Sequence, residues 1–325
     1  MIISKRKTSK ELLFYRALSF RDYLSEQEGK KLSVLERGYE GECIYDKVFE
    51  QTSGQTVLVF RDIYLKIEDS VAQYDSLIVS DGEITVNEIK NFSGLYRFEN
   101  DKWYIRDFEV PDDPVSQLKR AMNKLKRLSY GSPLNFKVSG KLVFPHVEFS
   151  LQTSDRALQD IVIMRSGLRG YLKEFQNMYA GRHAEAIAAA VSKHIIENPY
   201  FDKKADFERV RKGVYCGKCG SFELRKSHYY LNCGRCGCQE TKETHMLRAM
   251  TDFKALFLED RMTKQKFMRF INCAVSGRTA QRMLNKYCER IDQGSHTYYL
   301  FRYHDFDEAY GQYEGTYRYK DKRMM

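Results

Sequence analysis

Gln73-Tyr74-Asp75-Ser76-Leu77-Ile78-Val79-Ser80-Asp81-Gly82-Glu83-Ile84-Thr85-Val86-Asn87-Glu88-Ile89-Lys90 is the stretch that decides the fold of this chain. Two apolar runs rich in β-branched residues flank Asp81-Gly82, a dipeptide that favours a two-residue hairpin turn. With that turn Ser80 pairs with Glu83. The same register sets Asp75 opposite Glu88, and Lys90 opposite Gln73 on the same face. Opposed side chains have Cβ atoms ~5 Å apart, a spacing at which two carboxylates repel unless a cation lies between them. Leu77, Val79, Ile84 and Val86 continue the face of Asp75 and Glu88, whereas Tyr74, Ile78, Thr85 and Ile89 take the other. Both faces are largely apolar, so the pattern predicts a sheet covered on both sides, with two carboxylates interrupting an apolar row. Burying such charges without a partner is costly.

The carboxylate pair therefore reads as a site for Mg²⁺ or Mn²⁺, hard cations that prefer carboxylate oxygens. A bound divalent ion lowers the pKa of its water and stabilises charge developing on a phosphate. Lys90 is placed to orient that water or to neutralise the phosphoryl charge. The alternative is an exposed cross-strand charge cluster with no ligand.

Outward from the hairpin, Ser33 is expected to cap a helix through about residue 50, which carries Glu42 where it can hold a water or a second ion. A strand is expected over 57–67, and Ser93-Gly94 and Asn100-Asp101 turn a meander over 95–108. Pro111-Asp112-Asp113-Pro114 breaks the sheet and starts a helix from about Val115 to Leu128. Its apolar stripe is Leu118, Met122, Leu125 and Leu128, and its other faces carry Lys119, Arg120 and Lys124 as candidate nucleic-acid contacts. Strand-like runs follow at 138–144 and 161–164, then a helical pattern from Leu168 to about Glu197.

In order along the chain stand Gly38-x-x-Gly41-Glu42, Gln73-x-Asp75, Glu88-Ile89-Lys90-Asn91 with Gly94 soon after, and Pro114-x-x-Gln117. This series resembles the nuclease-related domain (NERD) family, a branch of the PD-(D/E)xK restriction-endonuclease-like superfamily, over about residues 33–150 and as far as 175. The resemblance implies a mixed central sheet flanked by helices. It makes Asp75 and Glu88 metal ligands, Lys90 the catalytic lysine, Glu42 the acid of the first helix and Gln117 an auxiliary polar group. The Ile89 carbonyl is a further candidate metal ligand. Asn87 stands where the family usually has an apolar residue, on the strand face away from the site.

Cys216-Gly217-Lys218-Cys219 and Cys233-Gly234-Arg235-Cys236 are two C-x-x-C knuckles separated by thirteen residues. That spacing suits tetrahedral Zn²⁺, and strand-like arms at 222–224 and 229–231 make the segment resemble a zinc ribbon. Cys238 stands as a substitute for Cys236, and His228 is a weaker competitor. Arg225 and Arg235 are its candidate nucleic-acid contacts. Farther on, Thr263 is expected to cap a helix through about Asn272. A second helix follows with Ala280, Met283, Leu284 and Tyr287 on one face and Arg278, Gln281 and Arg282 open to a partner. With a strand over 298–303 this resembles a winged helix-turn-helix, the alternative being an ordinary helical hairpin.

The whole chain is thus expected to be α/β, with a helical N-terminal extension over 1–32 and a nuclease-like domain over 33–175. A helical linker over 176–212, a zinc ribbon over 213–242, an α-rich part over 250–305 and a tail over 306–325 complete it. The net charge of +10 favours an acidic polymer as partner. Five of the eight cysteines crowd into 216–238, which points to metal rather than disulfides in a cytoplasmic chain. No apolar run is long enough to span a membrane, and oligomeric state is left open. The expected function is Mg²⁺-dependent hydrolysis of nucleic acid, DNA before RNA. A non-catalytic nucleic-acid binder and a zinc-dependent interaction adaptor are the competing classes.

Overall fold

In the computed structural model, which describes residues 1–52, 56–131, 133–258, 261–294, 297–314 and 321, the Asp81-Gly82 turn closes as the pattern predicts. Ser80 pairs with Glu83 and the ladder runs in that register to Ser76–Asn87. The chain divides into two units, one of Met1–Lys7 with Ser33–Tyr200 and one of Thr8–Leu32 with Phe201–Met325.

The chain opens with β1 (Ile2–Ser4), α1 (Lys10–Arg21), α2 (Glu26–Thr52), β2 (Leu58–Ile67), β3 (Ser70–Ser80) and β4 (Glu83–Ile89). After β4 come β5 (Gly94–Glu99), β6 (Lys102–Ile105), β7 (Phe108–Glu109), α3 (Pro114–Tyr130), β8 (Lys137–Phe144) and β9 (Phe149–Gln152). Then follow α4 (Arg156–Ile161), β10 (Val162–Met164), α5 (Arg165–Glu174), α6 (Arg182–Ser192) and β11 (Ile195–Ile196). The main sheet of the first unit has the order β1-β2-β3-β4-β8-β10, with β11 added beside β2. Strands β2, β3 and β4 are antiparallel, whereas β8 runs parallel to β4 and β10 parallel to β8. The meander forms its own sheet, β7-β6-β5-β9.

Alternation along the strands produces two cores. Leu77, Val79, Ile84 and Val86 pack with Leu118 and Leu125 of α3 and Ile187 and Val191 of α6. Ile78, Ile89 and Val143 pack with Tyr45, Val48 and Phe49 of α2 and Leu168 and Leu172 of α5. The sheet is therefore covered on both sides, as read from the sequence. Tyr74 departs from the expected pattern. It joins the Leu77 core and its hydroxyl donates to the Ala121 carbonyl of α3. The cause is local: Asp62, facing Asp75 between the pairs Arg61–Ser76 and Ile63–Tyr74, has φ of +47°, so the alternation breaks there in both strands.

Other departures have equally plain causes. Helix α2 starts at Glu26, ahead of Ser33, because Ser25 and Glu28 form a capping box: the Ser25 N–H donates to the Glu28 carboxylate and the Glu28 N–H to the Ser25 hydroxyl. Residues 1–32 are not all helical, since Ile2–Ser4 is a parallel edge strand on β2. The helical pattern over 168–197 is broken, since Asp81 at the hairpin turn accepts from the N–H groups of Gly181 and Ala184 and starts α6 afresh. Much of the expected 176–212 linker is thus built into the first unit, with α6 in its core and β11 on its sheet. Helix α3 matches expectation closely: Asp113 caps it by accepting from Val115 and Ser116 N–H, and Pro114 occupies the first turn.

The second unit holds α1 and continues with β12 (Leu224–Lys226), β13 (Tyr230–Cys233), β14 (Gln239–Thr241), α7 (Lys242–Phe257), α8 (Lys264–Phe270) and α9 (Gly277–Tyr287). It ends with β15 (Cys288–Ile291), β16 (Tyr298–Phe301) and α10 (Phe306–Glu314). Helix α10 lies within the expected tail, whose residues 315–320 and 322–325 fall outside the described residues. Helix α7, buried along nearly its whole length, is packed by α1 and α10. Arg21 of α1, fully buried, donates to the Asp252 carboxylate of α7 at 2.8 Å and lies over the Phe270 ring. Thr263 caps α8 and Ser276 caps α9, and β15 pairs antiparallel with β16.

His245 of α7 gives this unit a pH dependence. Burial, with Arg248 beside it, lowers its pKa from 6.5 to about 4. Between these values unfolding takes up a proton that the folded chain excludes. Stability is whole above pH 6.5 and falls as pH drops towards 4, by at most about 3 kcal/mol. Urea midpoints at pH 7 and 4.5 should differ less in His245→Gln than in the wild type; an equal difference refutes the assignment.

Candidate active site and cysteine centre

The end of the central hairpin, where the β3–β4 ladder stops, brings together Glu42, Asp46, Asp62, Asp75 and Glu88. Asp75 is held there by its neighbour strand: its Oδ2 accepts the Ile89 N–H at 2.8 Å. Beyond Ile89 the chain leaves β3, and the Lys90 N–H donates to the Val143 carbonyl of β8. Lys90 consequently does not face Gln73, whose amide donates to Asp62. Instead its Nζ lies 2.8 Å from Glu88 Oε1. Glu42 and Asp46 enter from α2, one helical turn apart. Gly41 before them must lack a side chain, because a Cβ would sit 2.5 Å from the Cβ of Asn91. This contact presses α2 against the residue following Lys90.

The electrostatics follow from crowding and burial. Burial and then the Asp75 charge push Glu88 up to about 7, against the pull of Lys90. Burial and Asp75 push Glu42 up to about 8, against Arg6. Burial raises Asp62 and Asp46 as well. Lys90 is raised: burial opposes its charge, but Glu88 and Asp75 outweigh it.

Helix α3 flanks the site through charge: Arg120 acts on Glu88, and Asp112 ahead of the helix acts on Lys90. Gln117 lies between them in the sequence, and its Oε1 is buried with no hydrogen-bond partner among the described residues. Among the outer candidates, Lys119 and Arg120 are exposed, whereas Lys124 Nζ is tied to the Val71 carbonyl at 2.6 Å.

Three participants escaped the sequence reading. Arg6, with a side chain only 3% exposed, donates to Glu42 at 2.7 Å, to Asp46 at 2.8 Å and to the Asp75 carbonyl at 2.8 Å. Nothing in the basic N-terminal segment singles it out. Asp46 was detectable by its four-residue spacing from Glu42 on a helix. Asp62 was detectable from a second two-residue turn at Glu68-Asp69, which sets it opposite Asp75.

This donor set suits a hard divalent cation. The five acids Glu42, Asp46, Asp62, Asp75 and Glu88 outnumber the cations Arg6, Arg61 and Lys90, and burial, with their mutual repulsion, is what raises Glu42 and Glu88. The acids do not close a cage: among the described residues only cysteine-containing groups bring three ligand atoms within 4.8 Å of one another. Mg²⁺ needs no such cage, since it keeps several waters and takes one or two carboxylates.

Residues 37–145 match the nuclease-related domain, NERD. The NERD match contains Glu42, Asp75, Glu88, Lys90 and Gln117, and ends short of Arg6 on its N-terminal side. No curated protein and no solved structure matches the chain. A NERD region is thus present, and it ties the first unit to nuclease-related proteins in general. No described helix is long and apolar enough to cross a membrane.

The second unit carries a separate centre. Cys216, Cys219, Cys233 and Cys236 bring their sulfurs within 4.8 Å of one another, a potential zinc-binding site. The Cys216–Cys236 and Cys219–Cys233 sulfurs are each 3.6 Å apart, close to the ~3.8 Å edge of a tetrahedron with Zn–S bonds of ~2.3 Å. The two knuckles share one geometry. Gly220 and Gly237, each just past a knuckle, have φ of +69° and +70° and donate to the Cys216 and Cys233 carbonyls. Although burial opposes it, the N–H groups of Cys236 and Arg235 lower Cys233 to about 7. Cys238 lies near Cys216 and Glu240, but Glu240 is committed to Arg248 at 2.6 Å and to the Gly217 N–H at 2.8 Å. Cys236, rather than Cys238, completes the four-sulfur set. The arms differ slightly from expectation, starting at Leu224 and Tyr230, with β14 as a third strand. Arg225, Arg235, Arg278 and Arg282 are exposed, whereas Gln281 is tied to Asn285 and to the Tyr299 hydroxyl.

Proposed function

We propose that the protein is a divalent-cation-dependent nuclease that hydrolyses phosphodiester bonds of nucleic acid, DNA before RNA, in the cytoplasm. The observation that carries this reading is the Ile89 N–H bond to Asp75 beside the Glu88–Lys90 pair, inside the NERD match. Asp75, Glu88 and the Ile89 carbonyl would hold Mg²⁺ or Mn²⁺, which when bound supplies an acidified water and stabilises charge on the phosphate. Asp75 is oriented before any ligand arrives, because its carboxylate is anchored to the neighbouring strand. Lys90 keeps its proton in the company of Glu88 and Asp75, so it directs a positive charge at the attacking water or the phosphoryl oxygens. Gln117 offers an unpaired carbonyl oxygen to a water or a nucleotide. Lys119 and Arg120 on α3 provide exposed charge for the polymer backbone.

In the second unit the four cysteines support a Zn²⁺ ribbon. The pair α8–α9 with the β15–β16 hairpin supports a winged helix-turn-helix, with exposed Arg278 and Arg282 one turn apart on α9. Both are read as nucleic-acid-binding parts. The test is cleavage of supercoiled, linear and single-stranded substrates by zinc-loaded protein with Mg²⁺, with Mn²⁺ and with no divalent ion added. Cleavage is expected only with the added ion, and Asp75→Asn should remove it. Tight binding without cleavage under all three conditions would favour a non-catalytic nucleic-acid binder.

A further inference from the structure

Arg6 is an unusual occupant of an acidic site, because every nitrogen of its guanidinium is already engaged. Nε donates to Asp46 at 2.8 Å, Nη1 to Glu42 at 2.7 Å, and Nη2 to the Asp75 carbonyl at 2.8 Å. With its side chain 3% exposed, it is not poised to reach out to a substrate phosphate. The parallel pairing of β1 with β2 delivers it there: Ser4 pairs with Phe60, and Arg6 follows two residues later. Asp46 is bridged from its other side by Arg61 at 3.2 Å, so the guanidiniums of Arg6 and Arg61 together cover that carboxylate.

A second divalent ion would have to lie about 3.5–4 Å from the first and share a carboxylate with it. Beside Asp75 the acids available to such an ion from α2 are Glu42 and Asp46. Arg6 binds both of them and the Asp75 carbonyl at once. A planar guanidinium with fixed donors fits two carboxylates and a carbonyl in this way, whereas a lysine ammonium offers one point of charge. We infer that Arg6 is a built-in counter-cation that fills the place of a second divalent ion and confines the acidic site to one. It acts as a positioning residue: it fixes Glu42 and Asp46 and neutralises them without touching substrate. The inference rests on the proposed cation site at Asp75 and Glu88, and it reassigns Glu42 from a ligand of a second ion to the partner of Arg6.

The test is Mn²⁺ titration of the full, zinc-loaded chain, with bound metal counted by equilibrium dialysis and its environment read by electron paramagnetic resonance. The wild type should bind one Mn²⁺ per chain with the six-line spectrum of an isolated ion. Arg6→Gln should bind two, with the altered spectrum of an exchange-coupled pair, and Arg6→Lys, which keeps a charge, should stay at one. Two ions in the wild type, or one ion in a folded Arg6→Gln chain, overturns the inference while leaving the cation site intact. No Mn²⁺ bound by the wild type overturns both. Where the glutamine variant fails to fold, the same count in Arg6→Leu, which keeps an apolar side chain in place of the stem, decides instead.

Discussion

Lys90→Ala is expected to lower phosphodiester cleavage by at least about 10³-fold while leaving the fold and the affinity for nucleic acid nearly unchanged. The first half follows from what a single preorganised charge contributes in a site shielded from water, about 10²–10³ in rate for one donor. Lys90 adds to that the neutralisation of two neighbouring acids. The second half follows from the state of Glu88. Burial and Asp75 already push it up to about 7, and Lys90 is the main influence pulling it down. Without Lys90, Glu88 takes up a proton at neutral pH rather than remaining as an unpaired buried charge, so the fold is spared the usual cost of breaking an ion pair. Thermal melting, anisotropy with a labelled oligonucleotide in the absence of added divalent ions, and single-turnover cleavage with Mg²⁺ separate the three quantities. Wild-type cleavage in Lys90→Ala refutes the assigned role. Loss of cleavage together with a large fall in melting temperature would make the residue structural.

The second large effect is expected at the cysteine centre. Cys216→Ser should lower zinc from near one per chain to a small fraction and unfold the β12–β14 sheet. Its strands are only three or four residues long, too short to hold together on backbone pairing alone. Structural zinc contributes about 10–16 kcal/mol of apparent binding free energy in isolated small zinc domains, and that binding energy is folding energy. The unpaired thiols would remain packed side by side with nothing between them. Metal analysis and amide hydrogen exchange at Leu224–Thr241 test this directly. A zinc-free protein whose amides there stay protected refutes the assignment. Cys238→Ser is the internal control: it should keep its zinc, because Cys236 completes the four-sulfur set.

What could be read from the chain differs between the two centres for a physical reason. The knuckles are local, so C-x-x-C-G appears twice in the sequence with the same left-handed glycine after each second cysteine. The hairpin is local too, since a two-residue turn dictates its own register, and Ser76 meets Asn87 as the turn requires. Alternation failed only where Asp62 takes a positive φ and lets Tyr74 turn into the same core as Leu77. No residue type in the strand announces that φ, and the Tyr74 hydroxyl turned by it donates to the Ala121 carbonyl of α3.

The sequence by itself determined the turn, the strand register as far as Ser76–Asn87 and the cysteine knuckles, because each is set by steric and hydrogen-bonding preferences within a few residues. The tertiary structure alone decided that Lys90 turns from β3 towards Glu88 and that Asp81 starts α6 across a hundred residues. It alone decided that Arg6 closes over Glu42, Asp46 and Asp75, which lie 36, 40 and 69 positions along the chain from it. Such contacts exist only once a parallel edge strand has been laid against β2, and the free energy for that comes from the packed sheet rather than from the segment that carries Arg6.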